Sequence, residues 1–257
     1  MVKSKGSAVG GRSAPRLFVD ARLAAGAEIA MSGDQTHYLL AVMRRAPGDP
    51  VIVFNGVDGE WSGHVAEAGR RACKVAVTRP LRAQGAPADI QFLFAPIKRA
   101  RLDFIVQKAT ELGVARITPV MTRLTNVGRV NTDRLHANVI EAAEQCGALW
   151  VPQVEEPLRL DAALAEMASD RRLVFCDEAA PIADPVEALK PAIGASLAVL
   201  VGPEGGFSPD ERDRILARDG VVRLSVGPRI LRADTAGIAA LSLVQAVCGD
   251  WRGGGSA

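Results

Sequence analysis

The spacing of apolar positions divides the chain into two textures. Between 16 and 83, short β-rich runs alternate with turn residues: RLFVD at 16–20, PVIVFNG at 50–56, EWSGHVAEA at 60–68 and ACKVAVTRP at 72–80. One helical piece, 36–49, stands among them, and Gly48-Asp49 and Asp58-Gly59 are turn signals. Several short strands in about 70 residues predict a small β-barrel. After a polar linker at 84–89 the period changes. IQFLFAPI at 90–97 is a continuous apolar run, as for a strand buried on both faces. Leu102, Ile105, Val106, Ala109 and Leu112 then share a helical face that Gly113 stops. Further strands are predicted at 115–122, 172–176, 196–202 and 221–227. Helices are predicted from Leu135 to Gly147 and at 161–168, 185–193, 208–220 and 235–249. Strands separated by helices of this length predict a parallel α/β sheet covered on both faces.

The expected organisation is a tail at 1–15, a β-barrel domain at 16–83, a linker at 84–89, an α/β domain at 90–252 and a tail at 253–257. The first 14 residues carry three basic and no acidic groups and no apolar signal-peptide core, so they read as a disordered arm, with RNA attraction as the sharper alternative. Composition narrows the field only slightly. With 257 residues and 48% hydrophobic content the chain can bury a sizeable core, and with 4% aromatics that core must be mostly aliphatic. A formal net charge of +2 neither requires nor excludes a nucleic-acid partner. No run of 18 apolar residues predicts a membrane span. Cys73, Cys146, Cys176 and Cys248, and His37, His64 and His136, are dispersed without metal-ligand spacing. No metal site is expected, and the cysteines read as small hydrophobes of a reducing, cytoplasmic compartment.

In open α/β sheets, ligands bind beyond the carboxyl ends of the strands. Three loops qualify: Asp177-Glu178-Ala179, the turn from Gly202 through Pro203, Glu204, Gly205 and Gly206 to Phe207, and the segment from Gly227 through Arg232 to Ala236. Glycines in the second loop let backbone approach a ligand closely, although a purely structural bend reads the same way. Ser208, Pro209 and Glu211 then spell a capping box with proline at the first helical position. Asp210 and Glu211 at this helix start would repel a phosphate, and neither phosphate-binding glycine signature is present. A neutral or cationic ligand fits better, and S-adenosyl-L-methionine, a sulfonium without phosphate, is such a ligand. In the third loop Asp234 is expected to cap the last helix. Arg232 beside it is hard to explain as structure, since a helix N-terminus repels a cation. It is better aimed at an anionic or carbonyl-bearing substrate.

These residues resemble the RsmE family of the SPOUT superfamily, methyltransferases acting on N3 of a uridine in the decoding region of 16S rRNA. The likeness runs from Arg16 to about Trp251. It is carried by Arg16-Leu17-Phe18-Val19, by His37-Tyr38-Leu39-Leu40 with Met43-Arg44, by the run from Phe104 to Gly113, by Glu141 to Cys146, by Val201 to Phe207 and by Gly227 to Arg232. It departs from the family at Asp234, usually Glu, and at Ala148, often Arg. The resemblance implies a PUA-like barrel followed by an α/β SPOUT domain with a deep trefoil knot, assembled as a homodimer. It implies a methyl donor held by Leu200, Val201, Gly202, Pro203, Gly205, Gly206, Leu224, Ser225, Gly227, Ile230, Leu231, Arg232, Thr235 and Ala236.

Uracil N3 carries a proton at neutral pH, so methylation needs that nitrogen deprotonated and the negative charge on O2 and O4 stabilised. Arg232 is the candidate for holding the carbonyls. Glu204 is a candidate base, though a carboxylate in a turn is also an ordinary loop acceptor. RNA contact is expected from Arg16, His37, Arg44 and Arg45 in the small domain and from Lys98, Arg99, Arg101 and Arg123 in the large one. A basic first turn opposes the helix dipole, although such runs are often solvated helix starts. The partner implied is 16S rRNA or the assembled small subunit. The alternatives are a SPOUT enzyme acting on another RNA or on ribose, and a non-catalytic RNA-binding assembly factor.

Overall fold

The computed structural model describes residues 14–69 and 72–252. The expected tails and N-terminal arm lie outside these residues except at Ala14 and Pro15. Pro15 is buried, and its carbonyl accepts from Ile52 N at 2.9 Å, so the ordered fold begins before the expected boundary. The chain divides into two compact units between Gly85 and Ala86.

The first unit holds β1 (Arg16–Phe18), β2 (Glu28–Ala30), α1 (Gly33–His37), β3 (Pro50–Phe54), β4 (Glu60–Ala68) and β5 (Cys73–Arg82). The strand order is β1-β3-β4-β5-β2, with β1 parallel to β3 and the other pairs antiparallel. Leu17, Ile29, Leu39, Val51, Val53, Val65, Val75 and Val77 form its core. Among the described residues, β1 and β2 end the ladder without pairing to each other, so strand pairing does not close the expected barrel. The Gln35 side chain bridges part of the gap, donating from Nε2 to Phe18 O at 2.7 Å. The helix expected over 36–49 starts earlier, because Ser32 and Gln35 form a capping box, and it ends earlier. One π-turn at Tyr38–Val42 follows, and Arg44 at φ 51° turns the chain away.

The second unit comprises β6 (Ile90–Phe94), α2 (Arg99–Glu111), β7 (Arg116–Met121), α3 (Thr132–Cys146), β8 (Gln153–Val154), β9 (Leu158–Arg159), α4 (Leu160–Glu166), β10 (Arg172–Cys176), α5 (Pro185–Leu189), β11 (Leu197–Val201), α6 (Pro209–Leu216), β12 (Val221–Leu224) and α7 (Ala233–Val247). The order β12-β10-β11-β6-β7-β8 is parallel throughout, and β9 adds to β7. Side chains alternate across the sheet. Phe92, Phe94, Val199, Val201 and Val174 meet α2, α3, α5 and α7 on one face. Leu93, Ala198, Leu200, Leu173 and Phe175 meet α4 and α6 on the other. Glycines at φ 75° (Gly113) and φ 82° (Gly147) stop α2 and α3 as expected. The expected linker is partly built in: Asp89 pairs with Arg171 at 2.8 Å, and its carbonyl accepts from Leu197 N.

Candidate active site at the carboxyl edge of the parallel sheet

Because all six strands of the main path run parallel, the turns after β10, β11 and β12 emerge at one edge. β10 lies between the other two, so the bends after β11 and β12 are two strand spacings apart, about 10 Å.

The first bend is built outward from buried strand. Leu200 and Val201 are in the core. Gly202 lies against Phe207, and a Cβ there would fall 2.6 Å from Cε2 of that ring. Phe207 in turn stands edge-on to Phe175 at 5.4 Å. Pro203 is buried, Glu204 and Gly205 are exposed, and Gly206 at φ 69° donates its N–H to the Pro203 carbonyl at 2.9 Å. The α6 capping box is present as read from sequence. The buried Glu211 carboxylate accepts from Ser208 N and Ser208 Oγ, each at 2.9 Å, and also from Arg123 N at 2.7 Å. Burial pushes this carboxyl upward, but the hydrogen bonds from Ser208 and Arg123 outweigh it and hold it below its ordinary value. Glu211 thus also pins the loop after β7, a role invisible from capping alone. That loop reaches the first bend, where a Cβ on Gly205 would lie 3.4 Å from Leu124 Cβ.

The second bend starts from buried Leu224 and half-buried Ser225. Gly227 takes φ 105°; Gly227, Arg229, Ile230 and Arg232 are exposed, and Leu231 is half-buried. Ile230 is 92% exposed, which is unusual for an aliphatic side chain and marks the bend as open surface. The last helix begins two residues earlier than expected. Arg232, not Asp234, is the N-cap residue, with no side-chain cap bond. Asp234 lies inside the first turn, accepting from Thr235 N at 2.8 Å and pairing with Arg101 at 3.8 Å. Capping therefore does not explain Asp234. Arg232 is left as an exposed cation at the positive end of the helix, with Thr235 exposed and Ala236 half-buried behind it.

The turn between the two bends holds Asp177, whose side chain is 4% exposed. Its Oδ2 accepts from Arg223 Nε at 2.7 Å and Arg212 Nη2 at 3.0 Å, and its Oδ1 accepts from Ala179 N at 3.0 Å. Cys176 beside it is no nucleophile at neutral pH, since burial pushes its thiol up to about 12. A cavity of about 380 Å³ opens on the α4 and α6 side, with Thr122, Arg123, Asp161, Ser208 and Glu211 in its wall. Its lining includes no residue of 224–236, so it lies beside the two bends rather than between them.

The expected RNA-facing cations separate. Arg16 is spoken for: its side chain, 12% exposed, pairs with Glu60 at 2.6 Å and covers the Phe54 ring at 3.7 Å. Arg45 is buried, 6% exposed. Neither stands as a free surface cation. Arg101 is half-buried against Asp234. His37, Arg44, Lys98 and Arg123 are exposed. The Arg99 side chain lies outside the described residues.

The chain is similar to known RNA methyltransferases. Residues 84–245 match the family model described as RNA methyltransferase domain, and residues 32–78 match RNA methyltransferase PUA domain. A ribosomal RNA small subunit methyltransferase E of Rickettsia conorii is 29% identical over 90% of this chain and 94% of its own. Its Bacillus subtilis namesake is 27% identical over 84% and 88%. A Neisseria gonorrhoeae ribosomal RNA small subunit methyltransferase E, solved bound to S-adenosyl methionine, superposes with a TM-score of 0.80 at 25% identity, covering 93% of this chain and 99% of that one. A Legionella pneumophila protein described as a methyltransferase, solved with the cofactor SAM, gives 0.82 at 28% identity over 92% and 99%. With its parallel α/β sheet and an N-terminal PUA domain, the chain belongs to the RNA methyltransferase family.

Proposed function

We propose that the protein transfers a methyl group from S-adenosyl-L-methionine to N3 of a uridine in the decoding region of 16S rRNA, as naked RNA or within the small ribosomal subunit. The observation that carries this reading is the emergence of two glycine-bearing bends at one sheet edge from the parallel strands on either side of β10, with an exposed Arg232, which makes no side-chain cap bond, closing the second. The bends suit this donor. Gly206 and Gly227 adopt positive φ, leaving main-chain groups approachable, and Asp210 and Glu211 in the first turn of α6 disfavour a phosphate-bearing ligand there. When bound, the donor supplies an electrophilic methyl group on a sulfonium sulphur.

The chain's residues must then hold the uracil and its charge. Arg232 donates to the uracil carbonyls and stabilises the anion left when N3 loses its proton. Glu204, exposed on the first bend, is available as the acceptor of that proton. The resident donor shell is Leu200 to Gly206 without Glu204, Leu224, Ser225, Gly227, Ile230 to Arg232, Thr235 and Ala236. RNA rests on His37 and Arg44 of the first unit and on Lys98 and Arg123 of the second. We place the enzyme in the cytoplasm as a homodimer, in which a second copy covers the bare Ile230, and we assign a trefoil knot to the passage from β10 to α7. Two features support the dimer and the knot: the 92% exposure of Ile230, and the placing of β11 inside and β12 outside β10.

The test is methyl transfer by the purified protein to undermethylated small subunits and to naked 16S rRNA, followed by mapping of the modified nucleoside. N3-methyluridine at one position is expected. A methyl group on ribose, or in another RNA, would move the enzyme to a different substrate. Absence of donor binding in calorimetry with S-adenosylhomocysteine would leave only an RNA-binding factor.

A further inference from the structure

The strand order puts one buried carboxylate between the two bends. β10 is flanked by β11 and β12, and Asp177 is the first residue beyond its end. Its main chain is tied to β12, with Asp177 N donating to Leu224 O at 3.0 Å. Its side chain then reaches both ways. Arg212 belongs to α6, the helix that anchors the first bend, and its own N–H closes the first helical turn on Ser208 O at 2.9 Å. Arg223 belongs to β12, one residue before Leu224 opens the second bend. It also donates from Nη2 to the Ala179 carbonyl. Asp177 Oδ1 meanwhile fixes its own turn through Ala179 N.

We propose that Asp177 is a positioning residue of the methyl-transfer site, holding the α6 and β12 anchors of the two donor bends in one fixed relation through Arg212 and Arg223. The inference rests on the donor reading of those bends given above. The chemistry favours positioning over bulk stabilisation. Burying a carboxylate costs desolvation that an apolar contact would avoid. In return, planar guanidiniums meeting one carboxylate oxygen fix direction and separation as methyl packing does not. Methyl transfer needs the nucleophile in line with the breaking S–C bond, so it is sensitive to the separation of the two bends. Displacement of reacting groups by about 1 Å costs on the order of a hundredfold in rate.

The experiment uses the full chain with Asp177→Asn, Arg212→Lys and Arg223→Lys. Thermal unfolding, calorimetric affinity for S-adenosylhomocysteine, and kcat and KM for donor and small subunits are measured well below each variant's melting temperature. D177N keeps the shape and one acceptor but loses the charge both guanidiniums face. It is expected to weaken S-adenosylhomocysteine binding about tenfold and to lower kcat/KM for the donor about a hundredfold, with KM for small subunits unchanged. R212K and R223K, which keep charge but lose the fork, are expected to shift the same two quantities in the same direction by less. A merely structural role would lower the melting temperature while folded protein kept parental donor affinity and kcat; that result overturns the proposal. If D177N does not fold, the lysine variants decide, and parental donor affinity and kcat in both overturn it. An active parent with parental variants refutes this inference alone, whereas a parent that binds no S-adenosylhomocysteine refutes the donor reading and this inference with it.

Discussion

Replacing Glu211 by Gln changes one oxygen into an NH2 group, at a site 6% exposed where both oxygens already accept from main-chain N–H donors. Oε1 takes Arg123 N at 2.7 Å, and Oε2 takes Ser208 N at 2.9 Å. However the amide is turned, its NH2 faces one of those donors. The orphaned N–H costs about 1–3 kcal/mol, and loss of ionic character in the remaining bond costs about 1 kcal/mol more. The expected destabilisation at neutral pH is therefore about 2–4 kcal/mol, a fall of roughly 5–15 °C in the unfolding of the second unit. The sign of the pH dependence follows from the depressed carboxyl. Its stabilisation is complete above the ordinary value of 4.5 and is lost as pH falls through the lower value in the folded protein. The parent should thus lose its advantage over the Gln variant in acid. Melting temperatures of parent and E211Q, compared from pH 7 downward, check this. A difference below about 1 °C at pH 7, or one that persists undiminished below the transition, would refute the reasoning.

Arg232→Ala is expected to lower turnover on small subunits about 10²–10³-fold, with a much smaller loss of S-adenosylhomocysteine affinity; unchanged turnover removes Arg232 from the chemistry. Gly202→Ala drives a methyl group to 2.6 Å from the Phe207 ring, which Phe175 backs. The strain is expected to cost about 1–3 kcal/mol and to weaken donor affinity, read by denaturant unfolding and calorimetry. In the first unit, burial raises the Glu60 carboxyl, but the Arg82 and Arg16 hydrogen bonds pull it lower still. That depressed value means stability is lost as pH falls below 4.5 through the folded value. Acid unfolding followed by Trp61 fluorescence, with Trp150 and Trp251 replaced by Phe, should show the transition in the parent and a shallower pH dependence in E60Q, the remainder coming from the depressed Asp58 carboxyl.

Local signals were readable from the sequence and remote ones were not. The capping box at Ser208 and Glu211 and the glycine stops at Gly113 and Gly147 lie within a few residues of what they satisfy, so the sequence displays them whole. The near-continuous apolar runs at 90–94 and 197–201 likewise state that both faces of those strands are buried. β2 offers only Ile29 between two exposed residues, and β8 and β9 have two residues each, too short for any period. Arg16 and Arg101 looked like free cations because their partners, Glu60 and Asp234, are distant in sequence. Asp177 was visible only as a residue at a strand end. Its two guanidiniums arrive from positions 35 and 46 residues later, brought together by a strand order that periodicity does not specify. Asp234 was misplaced because a cap is a matter of backbone angles: the chain enters helix at Ala233, leaving Arg232 in the extended cap conformation.

The insertion of β11 between β10 and β6 also governs how the molecule is born. β6 is complete at Phe94, yet the strand that covers its second edge is not finished until Val201, roughly a hundred residues later. At about 5–20 residues per second the nascent chain carries that bare edge for some 5–20 s. The exposed edge is Ile-Gln-Phe-Leu-Phe, uncharged and strongly β-prone, the kind of segment that pairs with its copies on neighbouring polysomes. The interval between translating β6 and β11 is thus a window in which this edge is open to pairing with other chains.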